Sequence, residues 1–315
     1  MKIVCDRHIP YFVDAIRSGW PDVDICPMET DEIAISVLTD ADVLVVRTRT
    51  HVDAALLEGT NIRLVCTATI GYDHIDADYC ETHGVRWMSC PGCNAQAVCD
   101  YVEEAISHQP SAVSFQNSEF RSQMTIGVVG VGHIGSLVAK MAERKGMNVL
   151  LNDPPRGIGV TLDEIARRCD IITFHTPLNQ STYHLCGADF LSKTKANALI
   201  INAARGGVAD ETALLESGRP YILDTWENEP HINTVVAKNA RLASMHIAGY
   251  SVEGKVNASQ MCLDAIAEQF GMPKLKIAVP ATRGDSQPGW LKRVSEVLQA
   301  HPDQFEQLRK AYVLR

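Results

Sequence analysis

Residues 124–153, MTIGVVGVGHIGSLVAKMAERKGMNVLLND, decide the fold of this chain. They begin with a short apolar run at 125–129, which is rich in β-branched residues and predicts a buried parallel strand. Three glycines follow in the pattern G-V-G-H-I-G, at positions 130, 132 and 135. A helical pattern comes next, and residues 147–151 predict a second strand. This order of strand, glycine loop, helix and strand is typical of a dinucleotide-binding unit.

The three glycines have distinct roles in such a loop. Gly130 permits the tight turn from strand to helix, Gly132 lets the backbone approach a pyrophosphate, and Gly135 lets the helix pack closely on the strand. The first turn of the helix also directs its N–H groups at the phosphates. The predicted cofactor-binding residues of the loop are Gly130, Gly132, His133, Ile134 and Gly135.

Asp153 discriminates between dinucleotides. It follows the second predicted strand, where its carboxylate can accept hydrogen bonds from a ribose diol. Because the same charge would repel a 2′-phosphate, the sequence predicts NAD rather than NADP. Arg156 leaves NADP open as an alternative, since a nearby guanidinium can hold that phosphate. We interpret Arg156 as a solvated loop charge.

Composition narrows the class of protein. With 315 residues the chain is long enough for about two domains. Its net charge of −9, its pI near 5.6 and the lack of a basic run argue against a nucleic-acid partner. No apolar run reaches the length of a membrane span. The ten cysteines are scattered through predicted strands and helices, as is typical of reduced thiols, which predicts a cytoplasmic protein.

Two of the cysteines form a motif of their own. Cys90 and Cys93, in C-P-G-C, have the spacing of a redox dithiol. A redox dithiol would normally begin a helix in a small βαβ domain, and the sequence has no second C-x-x-C or histidine pair to complete a zinc site. We therefore interpret both as ordinary loop thiols and predict no metal site.

A separate α/β unit precedes the dinucleotide motif. Apolar runs predict its strands at 2–5, 43–46 and 64–68. Arg47 and Thr48 follow one of these strands, and Thr69 follows the next. Ligands of open α/β sheets bind beyond the carboxyl ends of the strands, and hydroxyl and guanidinium groups there suit a phosphate or a carboxylate. Capping and solvated charge are the alternative roles of these residues.

Six strands are predicted from the dinucleotide motif onward, enough for a complete dinucleotide fold. They lie at 125–129, 147–151, 171–174, 198–201, 221–223 and 242–244. A helix predicted at 94–106 leads into this part of the chain, and residues 109–123 are polar and irregular.

Arg205, Glu229 and His246 follow successive strands and form a complete set for oxidising a 2-hydroxy acid. A guanidinium can hold the substrate carboxylate in bidentate fashion. An imidazole can take the hydroxyl proton as hydride leaves for nicotinamide, and a carboxylate bonded to that imidazole fixes its tautomer. Taken singly, a surface ion pair, a loop acid and a partly buried histidine are the alternative interpretations.

The motifs around these residues resemble the D-isomer-specific 2-hydroxyacid dehydrogenases. They are the Arg-Gly after I-I-N-A-A, the Glu-Pro of D-T-W-E-N-E-P and the His of H-I-A-G. Further matching stretches are D-R-H-I-P-Y, T-A-T-I-G-Y-D-H-I-D, P-G-C-N-A, N-D-P-P-R, F-H-T-P-L and H-I-A-G-Y-S-V-E-G-K. The resemblance implies a Rossmann-type NAD domain inserted in a flavodoxin-like α/β substrate domain, with a short C-terminal appendage.

The resemblance also implies domain boundaries. The expected parts are a substrate domain at 1–96 and 257–273, an NAD-binding Rossmann domain at 97–256 and an abbreviated dimerisation segment at 274–315. The final helix of that segment carries Phe305, Leu308 and Tyr312 on one apolar face. A homodimer, smaller or rearranged relative to that of longer family members, is therefore expected.

Individual residues acquire roles from the same resemblance. Arg205 would hold the substrate carboxylate, and His246 would be the acid/base, paired with Glu229. The residues expected at the NAD site are Asp153, Thr176, Ala203, Ala204, Arg205, Asp224 and Gly249. The residues expected to contact the substrate are Arg47, Thr48, Thr69 and Tyr250.

The implied reaction is the NAD-dependent oxidation of a small phosphorylated 2-hydroxy acid, with tightly held cofactor that a second, 2-oxo acid restores. Another dehydrogenase of the family, acting on phosphoglycerate or lactate, is the first alternative. The second is a binding protein that uses this scaffold to sense NADH. The acidic composition and the lack of an obvious recruiting extension argue against a sensor.

Overall fold

The computed structural model describes residues 1–107, 124–280 and 284–315, so the irregular segment at 109–123 lies outside the described residues. The chain divides into two compact units, Met1–Asn94 with Ser251–Thr282 and Ala95–Tyr250 with Arg283–Arg315. The sequence of the second unit therefore interrupts that of the first. The boundaries expected after residues 96 and 256 fall inside helices, whereas the observed unit boundaries lie where those helices begin.

Strands and helices alternate along both units. The strands are β1 (Lys2–Asp6), β2 (Asp24–Met28), β3 (Val43–Val46), β4 (Leu64–Thr67), β5 (Arg86–Met88), β6 (Thr125–Val129), β7 (Asn148–Asp153), β8 (Ile158–Gly159), β9 (Ile171–Phe174), β10 (Leu199–Asn202), β11 (Tyr221–Leu223) and β12 (Leu242–Ala243). The helices are α1 (Phe12–Gly19), α2 (Ile35–Leu38), α3 (Ala54–Leu57), α4 (Ala77–Thr82), α5 (Ala95–Ser107), α6 (His133–Arg144), α7 (Leu162–Arg168), α8 (Ala188–Ser192), α9 (Glu211–Ser217), α10 (Thr234–Asn239), α11 (Val252–Phe270), α12 (Trp290–Ala300) and α13 (Phe305–Ala311).

The first unit is built on a parallel sheet with the order β2-β1-β3-β4-β5. This is the strand order of flavodoxin-like folds. Strands β3 and β4 are buried along their whole length because their mainly apolar side chains pack against layers on both faces. One layer includes Ile16 of α1 and Leu263 of α11, and the other includes Leu38 and Leu57.

The second unit is built on a sheet with the order β12-β11-β10-β9-β6-β7-β8. All neighbours pair in parallel except β7 and β8. If β6 is numbered 1 and the sheet is read from the β8 edge, the order begins 3-2-1-4-5-6, which is the Rossmann order, and β12 is one further strand at the other edge. The winding direction changes between β6 and its neighbour β9, so the crevice in which such sheets bind ligands lies where the glycine loop begins. The α/β fold predicted from the sequence is confirmed; β8 was missed because two residues are too short for a pattern.

Residues 284–315 pack on the second unit. The side chains of α12 and α13 that enter its core are Trp290, Leu291, Leu298 and Phe305. The Ser295 hydroxyl accepts a hydrogen bond of 2.8 Å from the Ala243 backbone N–H of β12. Leu308 and Tyr312 pack against the same core. The apolar face expected to make a dimer contact is thus covered within its own unit, and the homodimer stays a prediction.

The cysteines are packing residues. All ten are free, as predicted for reduced thiols. The Cys90 thiol donates hydrogen bonds to the carbonyl oxygens of Thr67 and Ala258 at 3.3 and 3.4 Å. Burial raises the pKa of Cys93 to about 11, which disfavours the thiolate that disulfide exchange requires. The C-P-G-C pair therefore behaves as ordinary thiols of the first unit.

None of the helices in the described part of the chain combines the length and apolar character needed to cross a bilayer.

Candidate active site and nucleotide-binding loop

The glycine loop between β6 and α6 is shaped for a phosphate. Gly130 has a φ of +88°, which side chains rarely adopt, and a Cβ there would lie 2.7 Å from the His175 carbonyl oxygen. A Cβ on Gly135 would lie 1.9 Å from the Gly130 carbonyl oxygen, so only glycine lets helix and loop pack. A Cβ on Gly132 would meet no described atom within 4 Å. The space above Gly132, where α6 begins, is therefore open to a pyrophosphate.

Asp153, at the end of β7, is fixed beside this loop. Its Oδ2 accepts a hydrogen bond of 2.8 Å from the Val131 N–H, and its side chain is 12% exposed. Arg156 Nε lies 3.6 Å from the same oxygen, and Arg156 Nη1 donates to the Val131 carbonyl at 3.3 Å. Arg156 is therefore bonded to the loop as well as solvated. His133 and Ile134 occupy the first turn of α6.

Two threonine hydroxyls near the strand ends are buried without a bond. Thr176 follows β9 and Thr225 follows β11, and within the described residues neither Oγ1 has a hydrogen-bond partner. Because buried polar atoms of native proteins are nearly always bonded, these hydroxyls point to a polar ligand. Thr176 was expected at the NAD site, whereas Thr225 was missed although it also follows a strand. With the open loop, these residues fit a dinucleotide.

His175 is a further buried residue of this region that the sequence motifs did not predict. Its Nε2 lies 3.0 Å from the Thr173 hydroxyl, and its Nδ1 is buried without a partner among the described residues. Burial lowers the pKa of His175 to about 3, so the imidazole is neutral at physiological pH. It lies next to Thr176 in F-H-T-P-L, where its position after β9 was the available signal.

His246 and Glu229 form the hydrogen-bonded pair that the motifs predict. His246 Nδ1 lies 2.7 Å from Glu229 Oε2. The other carboxylate oxygen accepts a hydrogen bond of 2.9 Å from the Trp226 N–H, so Glu229 is fixed through both oxygens. The side chains of His246 and Glu229 are 32% and 20% exposed, so the pair remains accessible to a substrate.

Asp224 holds the loop that carries His246. Its Oδ1 accepts hydrogen bonds from the Ser244 hydroxyl at 2.7 Å and the Ile247 N–H at 2.8 Å, and its Oδ2 accepts from the Ala248 N–H at 2.9 Å. His246 has a φ of +57°, which is uncommon for a residue with a side chain, and its N–H donates to the Asp224 carbonyl. Asp224 therefore positions His246; its expected contact with the cofactor remains a proposal.

Arg205 is an exposed residue on the loop after β10. Asn202 shapes this loop, because its Nδ2 donates to the Arg205 carbonyl at 2.9 Å and its Oδ1 accepts from the Ala204 N–H at 3.1 Å. The Arg205 Nη1 donates to the Ala204 carbonyl at 2.8 Å. The guanidinium is thus held by the backbone of the preceding residue and stays exposed.

The loops that carry Arg205 and Glu229 are in close contact. A Cβ on Gly206 would lie 1.9 Å from the Trp226 carbonyl oxygen. Strands β10, β11 and β12 are adjacent and parallel, so the loops bearing Arg205, Glu229 and His246 leave the same edge of the sheet. Beside these loops, Ala203 and Ala204 are buried and Gly249 is half-buried.

A further carboxylate network lies beside Glu229 and was not predicted. Glu227 Oε1 lies 2.6 Å from His184 Nε2, and Glu227 and Glu211 each accept the other's backbone N–H, at 3.3 and 2.8 Å. Burial raises the pKa of Glu211 to about 7. Among the described residues, His184, Glu227 and Asp210 offer atoms within 4.8 Å of one another that could hold a metal ion, but the hydrogen bond to His184 already accounts for their proximity. Glu227 was detectable as the first glutamate of D-T-W-E-N-E-P.

The residues expected to contact the substrate belong to both units. In the first unit, Arg47 Nε donates to the buried Asp6 at 2.9 Å, so part of its guanidinium is committed to an ion pair. The Thr69 hydroxyl lies 2.7 Å from that of Thr67, and Thr48 is exposed. In the second unit, the Tyr250 hydroxyl accepts a hydrogen bond from Arg309.

Comparison with known proteins identifies the class. The family model for the NAD binding domain of D-isomer specific 2-hydroxyacid dehydrogenases matches residues 100–260. The chain belongs to the D-isomer specific 2-hydroxyacid dehydrogenase family. It is an NAD-dependent oxidoreductase that acts on a CH–OH group, and the predicted enzyme class and cofactor are confirmed.

Within this family the chain is similar to proteins named erythronate-4-phosphate dehydrogenase. The one from Bacteroides fragilis is 39% identical, with 100% of this chain and 97% of the relative covered. The one from Porphyromonas gingivalis is 41% identical, with 86% of this chain and 76% of the relative covered. Among solved structures, the TT0316 protein of Thermus thermophilus shares the fold, with a TM-score of 0.71, 21% identity, and coverage of 88% of this chain and 100% of that one.

Proposed function

We propose that this protein oxidises 4-phospho-D-erythronate to 3-hydroxy-2-oxo-4-phosphonooxybutanoate, a step in pyridoxal phosphate biosynthesis. The observation that carries the proposal is the 39% identity, over the whole of this chain, to a protein named erythronate-4-phosphate dehydrogenase. The bonded His246–Glu229 pair supplies the acid/base that turnover requires. The relatives favour this substrate over phosphoglycerate or lactate.

The carboxylate of the substrate would be oriented by Arg205. Its guanidinium is exposed at the edge of the sheet from which the loops of His246 and Glu229 also leave. A planar guanidinium can bind a carboxylate through two parallel hydrogen bonds, which fix the substrate in one orientation. Orientation places the 2-hydroxyl, rather than another hydroxyl of the acid, at the imidazole.

His246 would move the proton of the 2-hydroxyl. Because Nδ1 of His246 is bonded to Glu229, Nε2 is the nitrogen that accepts this proton. The carboxylate of Glu229 then stabilises the imidazolium, and its bond to the Trp226 N–H keeps it in place. When bound, NAD supplies the acceptor for the hydride from C2.

The cofactor would be held by residues whose geometry fits its parts. The open backbone at Gly132 suits the pyrophosphate, and Asp153 suits the ribose hydroxyls. The buried hydroxyls of Thr176 and Thr225 offer further hydrogen bonds. We also assign Ala203, Ala204, Arg205, Asp224 and Gly249 to this site on the family pattern.

The cellular setting follows from the same proposal. We infer a homodimer in the cytoplasm whose tightly held NAD is restored by a 2-oxo acid. The ten free thiols support a reducing compartment. The homodimer and the 2-oxo acid rest on the family resemblance.

The test is an assay of purified protein with 4-phospho-D-erythronate and a 2-oxo acid, in which reduced-nicotinamide absorbance and acceptor consumption are followed together. Acceptor consumption that requires both compounds is expected. His246→Gln should abolish it and spare NAD binding, because glutamine cannot accept the proton; the exposed His301→Gln is the matched control. A folded, NAD-loaded protein that ignores the phosphorylated acid would overturn the substrate assignment.

A further inference from the structure

A second guanidinium lies close to the His246 loop. Arg309 on α13 donates a hydrogen bond of 3.1 Å from Nε to the Tyr250 hydroxyl. Its Cζ lies 5.8 Å from the centroid of the Tyr250 ring. Both residues belong to the second unit. Tyr250 lies on the same loop as His246. Its backbone N–H donates a hydrogen bond of 2.8 Å to the Ile247 carbonyl and so closes a turn just after His246.

The helix that carries Arg309 is seated firmly. Phe305 of α13 is fully buried, and Leu308 packs against the core of the second unit. The Tyr312 ring lies 6.4 Å from the Tyr250 ring, centroid to centroid. The guanidinium is therefore positioned by a packed helix, and its side chain keeps 30% of its surface exposed.

The surroundings of Arg309 favour its positive charge. Burial opposes its charge, but Tyr250 and the carboxylates of Glu229 and Glu306 outweigh burial and raise the pKa of Arg309. Glu229 is thus near enough to act on Arg309 while it is bonded to His246. The contact between Arg309 Nη1 and Glu306 Oε2 is long, at 3.8 Å, so Glu306 does not hold the guanidinium in a tight ion pair.

We propose that Arg309 and Tyr250 form the subsite for the phosphate at the far end of the substrate, and that Arg309 sets the preference for phosphorylated acids. The inference rests on the proposed function, in which Arg205 already holds the carboxylate. The substrate then presents one further anionic group, and a guanidinium beside a phenol offers it charge-assisted hydrogen bonds. Since the Tyr250 oxygen accepts from Arg309, its own proton is directed away from the guanidinium.

The test compares kinetics on 4-phospho-D-erythronate and on unphosphorylated D-erythronate. Arg309→Ala should raise the KM for the phosphorylated acid by about 10- to 100-fold, the loss expected for a charged hydrogen bond. It should lower kcat/KM for D-erythronate by a much smaller factor, because that acid carries no phosphate for Arg309 to hold. Tyr250→Phe, which keeps the ring, should shift the same ratio in the same direction by a smaller factor.

Lys310→Ala is the matched control. Lys310 is the next residue of α13 and also approaches Glu306, at 3.6 Å, but its side chain is 65% exposed. It should change neither KM. Arg309→Lys keeps the charge but loses the Nε hydrogen bond to Tyr250. It replaces the alanine variant in the same comparison of substrates if that variant does not fold. Equal effects on both substrates, or no effect on either, would overturn the subsite.

The wild-type protein separates the two proposals. If it oxidises only unphosphorylated 2-hydroxy acids, the proposed function fails, and binding of inorganic phosphate to the NAD-loaded protein decides the subsite. Phosphate binding that Arg309→Ala removes and Lys310→Ala retains would support an anion site of this composition. Phosphate binding that Arg309→Ala leaves intact, or no binding to the wild type, would contradict it.

Discussion

Glu211 is a buried acid surrounded by other acids. It is 4% exposed, and Glu227, Glu229 and Asp210 all disfavour its ionised form. Burial is the largest cause of the rise in the pKa of Glu211 from 4.5 to about 7. Between these pH values the folded protein holds a proton on Glu211 that the unfolded chain has lost. The stability that this proton contributes is complete below pH 4.5 and is lost as the pH rises through about 7.

Glu211→Gln should remove this pH dependence. Glutamine resembles the protonated acid and can still accept the Glu227 N–H, so the variant should match the parent near pH 4. At pH 8 it should have a larger free energy of unfolding, by up to about 3 kcal/mol. The measurement is denaturant unfolding at both pH values, and Glu216→Gln, exposed on the same helix, is the control. A difference that does not grow with pH would contradict the account.

At the scale of elements, α12 and Arg315, which follows α13, contact the loop that carries His246 and stabilise it. The buried Arg315 donates from Nη2 to the carbonyls of Ala97 and Ala248, at 3.0 and 2.8 Å. Its Nη1 lies 3.5 Å from the Ile247 carbonyl. Its guanidinium stacks 4.1 Å above the Trp290 ring of α12. One side chain thus joins α5, α12 and the two residues that follow His246.

Arg315→Ala should loosen this loop. The buried carbonyls would lose their charged donor, so the free energy of unfolding should fall by about 2 kcal/mol. The kcat should fall more than the KM rises, because the orientation of His246 changes while the anion-binding groups remain. Arg293→Ala on α12 is the control, since its ion pair with Asp285 is half exposed and should contribute little. If the two variants behave alike, Arg315 does not position the loop.

Features of these elements that depend on local sequence were predictable, whereas contacts between residues distant in the sequence were not. The strand, glycine loop and helix at 125–144 were predictable because their signals are local. The pairing of Glu229 with His246 was predictable from motifs, whereas the role of Asp224 depends on the geometry of a loop with positive φ. Arg309 and Arg315 act across 59 and 67 residues, respectively, and only the packing of the chain places them there.

At the scale of the whole molecule, the alternation of strands and helices predicted two α/β sheets, and both strand orders agree with the flavodoxin-like and Rossmann patterns. Residues 274–315 were expected to form a dimerisation segment, and side chains of α12 and α13 within it enter the core of the second unit. The homodimer stays a prediction. An apolar helix face shows that something covers it, but not which surface does so.

Substrate preference is a property of the whole molecule, because it depends on several anion-binding residues from different elements. The most direct measurement is kcat/KM for 4-phospho-D-erythronate, 3-phospho-D-glycerate and D-lactate with one preparation of the NAD-loaded protein. We expect the highest value for 4-phospho-D-erythronate, the proposed substrate. D-lactate should have the lowest value, because Arg205 would hold its carboxylate but it has no phosphate for Arg309 and Tyr250 to hold. A value for 3-phospho-D-glycerate or D-lactate that equals or exceeds that for 4-phospho-D-erythronate would contradict the proposed substrate preference.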